Sequence, residues 1–333
     1  MNIRENIENL EEKTLSKFAV FSKNSKGRLY EEDDVCNLRT AFQVDRGRVI
    51  HSKSFRRLKH KTQVFIAPEN EHYRTRLTHT LEVSQIARNI ARALKLNEDL
   101  TEAIALAHDL GHTPFGHSGE KALDEISPTG FTHFEQSLRV VDFLEKDGKG
   151  LNLTFEVRDG ILNHTKGKLP CTLEGQVVRI SDRIAYINHD IDDAIRGNIL
   201  TKSQIPENIA RVLNINEKFK IDTILNSLVE NSTDGELKMS PEVLNAFLEL
   251  HEFMYASVYI DSAAKVEAKK VPDMIKILYE YLLNHIEKLP GFMKEIAERE
   301  GKHRAVCDYI ASMTDNYAVN IFESFFIPKS WSL

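Results

Sequence analysis

The chain has 333 residues, 41% of them apolar and 28% charged, with a formal net charge of −6. This balance excludes a largely disordered chain and a generally basic nucleic-acid binder, while leaving room for a local basic site. Three widely spaced cysteines, Cys36, Cys171 and Cys307, exclude a disulfide framework and suit thiols in a reducing cytoplasm. Met1 to Lys13 is charged throughout, so it reads as neither a signal peptide nor a membrane anchor. No run approaches the roughly 20 apolar residues of a membrane-spanning helix.

The periodicity is helical almost everywhere, and the fold class is mainly α. Residues 41–61 carry seven basic side chains (Arg46, Arg48, Lys53, Arg56, Arg57, Lys59 and Lys61) against one acid, Asp45. Arg74 and Arg76 follow. Lys61 to Ala67 is the clearest strand candidate. Residues 79–96 place His79, Val83, Ile86, Ile90 and Leu94 on one helical stripe, with Thr78 as the expected N-cap. A second helix is expected over 98–110, with Gly111 as its C-terminal cap and Pro114 just beyond. Another begins near Ser118. A long helix is expected over 174–196, with Val177, Ile180, Ile184, Ile187, Ile191 and Ile195 inside. Later helices are expected near 206–216, 219–230, 241–258, 273–288 and 302–325. Turn formers at 145–154 and 231–236 mark only weak boundaries.

Histidine is enriched locally: His72, His79, His108, His112, His117 and His133 fall within 62 residues, and Asp109 adjoins His108. A lone histidine on an apolar helix face is ordinarily a packed core residue. Several, with an aspartate, around a Gly/Pro-broken helix end suit a divalent ion such as Mn, Fe, Co, Ni or Zn. The absence of cysteine among them argues against a closed structural zinc site. His108 and His79 both lie on inward-facing stripes, so the two segments converge if their helices pack antiparallel. On the 174–196 helix, Asp182, Tyr186, His189, Asp190 and Asp193 form one polar face. By pattern alone that face is solvated, and for Asp193 this is the preferred reading.

The order His79 … His108-Asp109 … Asp182 resembles the HD superfamily of metal-dependent phosphohydrolases. Five local motifs sharpen the likeness: FRRLKHKTQVF (55–65), RTRLTHTLEV (74–83), AHDLGHTPFGHSGEKAL (107–123), GFTHFEQS (130–137) and SDRIAYINHDIDD (181–193). Together they resemble the deoxynucleoside triphosphate (dNTP) triphosphohydrolases, the dGTPase-like branch. The resemblance implies an HD-domain helical fold over 41–202, preceded by an N-terminal segment (1–40) and followed by an additional C-terminal helical region (203–333).

It further implies one divalent metal ion (Mn, Mg, Fe, Co, Ni or Zn) held by His79, His108, Asp109 and Asp182. Water or hydroxide would attack the α-phosphorus of a dNTP, giving a deoxynucleoside and tripolyphosphate. His117 would approach the phosphates, and Glu120 would orient His133 as a general acid/base. Arg76 is the implied α-phosphate contact and Arg183 a second phosphate ligand. Gln63 falls near base and sugar, and His112 among the substrate contacts. Tyr186 would stack on deoxyribose and disfavour a 2′-hydroxyl, Asp190 would bond the 3′-hydroxyl, and Tyr317 would complete the sugar pocket.

The family forms symmetric homo-oligomers, tetramers or hexamers, in some cases with a second dNTP as allosteric effector. The residues leave open an HD-type nucleotidase or phosphodiesterase acting on another nucleotide. They also leave open a nucleotide sensor, or a protein that binds single-stranded nucleic acid through the 41–76 basic patch. Base specificity is not readable.

Overall fold

The structure, a computed structural model, describes residues 2–32, 36–63, 74–197, 199–215, 221–259 and 267–329. In chain order the helices begin with α1 (Ile3–Thr14), α2 (Ala41–Ile50), α3 (Lys53–Arg57) and α4 (Arg76–Ala93). Next come α5 (Glu98–Ala107), α6 (Gly116–Ile126), α7 (His133–Arg139) and α8 (Phe155–Leu162). They are followed by α9 (Leu173–Arg196), α10 (Glu207–Val212), α11 (Ile221–Asn231) and α12 (Pro241–Met254). The last are α13 (Val271–Asn284), α14 (Gly291–Glu300), α15 (Lys302–Ala311) and α16 (Asp315–Phe326). Among the described residues the only extended pairings are isolated bridges, so the chain is all-helical in architecture.

Two compact units alternate along the sequence. The first draws on Met1–His51, His79–His108 and Leu151–Ala264. Its centre is α5, whose Leu100, Ala103, Ile104 and Ala107 are buried. α5 packs on α2, α8 and α9. The approach to α8 is close: a Cβ at Gly160 would come within 2.6 Å of the Ile104 side chain. Glycine is what lets these two helices touch at that level. α9 lays its Val177, Ile184, Ile187 and Ile191 into the same core.

The second unit draws on Ser52–Thr78, Asp109–Gly150 and Lys265–Leu333. Its core joins Leu123 and Phe131 to Ile275, Leu278, Val306 and Ile310, with α13 packed on α6 and α15.

Several local expectations are revised. The cap of α4 is Thr75, whose Oγ1 accepts from the Thr78 backbone at 3.4 Å, while Thr78 lies inside the helix. α5 ends at Ala107 rather than 110, with His108 at its C-cap. Gly111 therefore does not cap it. Instead, a Cβ there would sit 2.1 Å from the Ser137 nitrogen, so close backbone approach to α7 explains the glycine. The expected 302–325 helix is two helices, broken at 312–314 and restarted by the Thr314 side chain, which accepts from Tyr317 N. The polar face of α9 is not solvated: His189, Asp190 and Asp193 are all buried. The strand candidate lies mostly outside the described residues, as does His72.

Asn97 anchors the start of α5. It is 2% exposed, accepts from the backbone of Asp99 and Leu100 at 3.1 and 3.2 Å, and donates to the Val20 carbonyl at 2.9 Å. Replacing Asn97 by Ala removes the cap and takes the Asn97 donor from the half-buried Val20 carbonyl. It should cost about 2 kcal/mol in chemical denaturation; a change under about 0.5 kcal/mol would contradict this role.

Candidate metal centre and catalytic cluster

In the first unit, four buried or half-buried polar groups converge. His79, in the first turns of α4, places Nε2 3.0 Å from Asp182 Oδ1 on α9. His108, at the end of α5, has its Nε2 3.8 Å from the same oxygen. His164, just past α8, packs edge-on against His108 with ring centroids 5.0 Å apart. His108, His164 and Asp182 offer ligand atoms within 4.8 Å of one another.

Both histidines stand at helix C-termini, where the last carbonyls lack intrahelical donors. His108 Nδ1 lies 2.6 Å from Ala105 O, and His164 Nδ1 lies 2.7 Å from Ile161 O. A carbonyl only accepts, so each Nδ1 carries the proton and each Nε2 is the basic nitrogen that could serve as a metal ligand. Neutral imidazoles beside a carboxylate form a donor set that fits a borderline divalent cation. Farther along α9, His189 stacks edge-on against His79 and pairs with Glu82.

In the second unit, the chain continues from His108 into a chain of contacts. Arg76 Nη1 donates to Asp109 Oδ2 at 2.7 Å, and the arginine is 1% exposed. His112 Nε2 is 3.2 Å from the other Asp109 oxygen. His112 stacks face to face on His133, with centroids 4.0 Å apart and an interplanar angle of 8°. His133 donates from both Nδ1 and its backbone nitrogen to Glu120 Oε1, each at 2.8 Å. His117 sits edge-on to His112 at 5.9 Å.

The electrostatics follow from burial. Burial, then the Arg76 cation and His133, hold the His112 imidazole well below its ordinary range. Burial and Arg76 likewise push His117 down to about 4. Both are neutral donors at pH 7 until an anion approaches and favours their charged forms. Burial alone would raise the Glu120 carboxyl. Hydrogen bonds and electrostatic attraction from His133 outweigh it and hold Glu120 well below the usual carboxylate range.

The loop that carries this cluster is pinned from the C-terminal segment of the same unit. Phe115 has a left-handed backbone (φ 62°), uncommon for a residue with a side chain. Its N–H donates to Asp315 Oδ1 at 2.9 Å. The other Asp315 oxygen accepts from the backbone and hydroxyl of Thr62. Buried Lys61 donates to the carbonyls of His112 and Ala311.

The remaining candidates are placed as follows. Gln63 is buried, and its carbonyl lies 3.4 Å from Arg76 Nη2. Arg183 is exposed on α9 and stacks over Phe247 at 5.7 Å. Tyr186 is half-buried and Asp190 buried on the same helix. Tyr317 lies 3.1 Å from the Tyr309 hydroxyl and borders a cavity of about 410 Å³ with Lys53, Arg57 and Lys61. Arg46 and Arg48 of the basic patch are engaged in structural pairs with Asp99, Glu102 and Glu32. His164, Glu82, Lys61 and Asp315 carry no periodic signal. Only the NH of ILNHT and the TD of MTDNY hint at His164 and Asp315.

Two family models match the chain: an HD domain over residues 76–187 and a phosphohydrolase-associated domain over 237–324. A deoxyguanosinetriphosphate triphosphohydrolase-like protein of Caldanaerobacter subterraneus subsp. tengcongensis is 55% identical over 332 residues, 99% of this chain and 98% of its own. A protein of the same name from Clostridium perfringens is 51% identical over 99% of each chain. Among solved structures, a phosphohydrolase from Bacteroides thetaiotaomicron shares the fold with a TM-score of 0.53 at 19% identity. That match covers 82% of this chain and 66% of the other. No helix among the described residues is long and apolar enough to cross a membrane.

The depressed Glu120 carboxyl has a pH consequence. Its folded pKa lies below its unfolded value of about 4.5, so the stability it adds is complete above that pH and is lost as pH falls further. Glu120→Gln should therefore lose less melting temperature than the parent between about pH 5 and pH 3.5. Equal losses would show that the pair contributes nothing to acid sensitivity.

Proposed function

Because the chain belongs to the HD-superfamily, deoxyguanosinetriphosphate triphosphohydrolase-like proteins, we propose that it hydrolyses deoxynucleoside triphosphates to a deoxynucleoside and tripolyphosphate. The observation that carries this reading is the continuous run from Arg76 through Asp109, His112 and His133 to Glu120. It combines a buried guanidinium for phosphate oxygens with an imidazole held by a carboxylate for proton transfer. His79, His108, Asp109 and Asp182 hold one divalent ion, with Mn, Mg, Fe, Co, Ni and Zn all compatible with the donors. Such an ion neutralises phosphate charge and makes water a stronger nucleophile.

In the proposed reaction the oxygen of water bonds to the α-phosphorus and the bond to the 5′-oxygen breaks. His133, kept in one tautomer by Glu120, delivers the proton that the departing 5′-oxygen requires. Arg76 and His117 bind phosphate oxygens, and Arg183 contributes a further cation. His112 stacks on His133 and fixes its plane. On α9, Tyr186 faces the deoxyribose and Asp190 accepts from the 3′-hydroxyl, while Gln63 and Tyr317 bound the nucleoside. The HD model, spanning 76–187, covers most of these positions. A homo-oligomer with a second dNTP as effector belongs to the same reading.

The test is a panel of the four dNTPs with Mn²⁺ or Mg²⁺, with and without a second dNTP, followed by product identification. Tripolyphosphate is expected. Release of pyrophosphate or monophosphate, or turnover only of a nucleoside monophosphate or cyclic dinucleotide, would replace the proposal. His108→Ala should abolish turnover while Cys171→Ala retains it. Glu120→Gln should lower kcat by about 10²- to 10⁴-fold with a smaller change in KM.

A further inference from the structure

We propose that His164 is a ligand of the same metal ion, adding a third imidazole to those of His79 and His108. The inference rests on the metal reading above and deepens it. His164 is 1% exposed, in a position no periodicity singles out. Its setting repeats that of His108. Each follows a short buried helix, and each donates Nδ1–H to the carbonyl three residues earlier. Both therefore present Nε2 as the basic nitrogen.

The two side chains are brought together by packing one turn earlier. Ile104 of α5 lies against Gly160 of α8, so closely that no Cβ fits at 160. His108 and His164 each stand four residues beyond that contact, on neighbouring helix ends. Their rings meet at 5.0 Å, and Asp182 completes the group within 4.8 Å.

Distance decides between ligand and bystander. Two nitrogens bonded to one ion at about 2.1 Å lie no more than about 4.2 Å apart. Donors already within 4.8 Å reach that limit by moving well under an ångström. His164 thus stands beside a second imidazole and a carboxylate, with its donor atom inside the same small group. Gathering such groups out of water is unfavourable without a cation to bind them.

Two measurements test this on the full chain. Pulsed electron-nuclear double resonance of the Mn²⁺-loaded parent protein counts coordinated imidazole nitrogens. Three support the proposal and two overturn it, with no variant needed. Separately, His164→Gln should weaken Mn²⁺ binding in equilibrium dialysis by about 10- to 100-fold and alter the visible absorption of the Co²⁺-loaded protein. Unchanged affinity and an unchanged Co²⁺ spectrum, alongside lost loading in His108→Ala, would overturn the role of His164 and leave the metal centre standing. Normal loading in His108→Ala would instead overturn the centre itself.

Discussion

A helix that ends inside a core leaves its last carbonyls without donors, and water is not there to help. The first unit meets this constraint twice with histidine. His108 closes α5 on Ala105 O, and His164 closes the end of α8 on Ile161 O. The bond that satisfies each carbonyl also fixes each ring's tautomer and plane. The helix ends and the ring orientations of the proposed metal ligands are therefore set by the same two hydrogen bonds. The close packing of Ile104 on Gly160 aligns the two helix ends, and His79 and Asp182 approach from α4 and α9.

The second unit applies a different constraint, the cost of burying charge. Arg76 and Asp109 are both almost fully buried and satisfy one another. Their pairing leaves one Asp109 oxygen facing His112. Burial, reinforced by the Arg76 cation, keeps His112 and His117 neutral, and Glu120 stays ionised against His133. The unit thus holds a fixed anion and a fixed cation beside neutral imidazoles. Asp315 and Lys61 keep that loop in place, including the strained Phe115 that precedes His117.

Much of this is legible in the sequence, and the parts that are not have physical reasons. The long helix α9 is expected within one residue of its observed start, because its apolar stripe from Val177 to Ile195 runs unbroken for about five turns. The pairing of His133 with Glu120 rests on a motif, and the two side chains meet at 2.8 Å. The polar face of α9 reads as solvated because helical periodicity reports that a face differs, not what it faces. Buried His189, Asp190 and Asp193 turn out to face inward. Gly111 looks like a helix cap because glycine has several uses, and only the chain 26 residues later, at Ser137, reveals which applies. His164 and Asp315 escape notice for the same reason: both act on segments distant in sequence, with no spacing to give them away.

The most direct check is anomalous scattering from crystals grown with Mn²⁺. One strong peak is expected, bonded to the Nε2 atoms of His79 and His108 and to the carboxylates of Asp109 and Asp182. A peak elsewhere, or none at these side chains in a protein that turns over its substrate, would contradict the assignment.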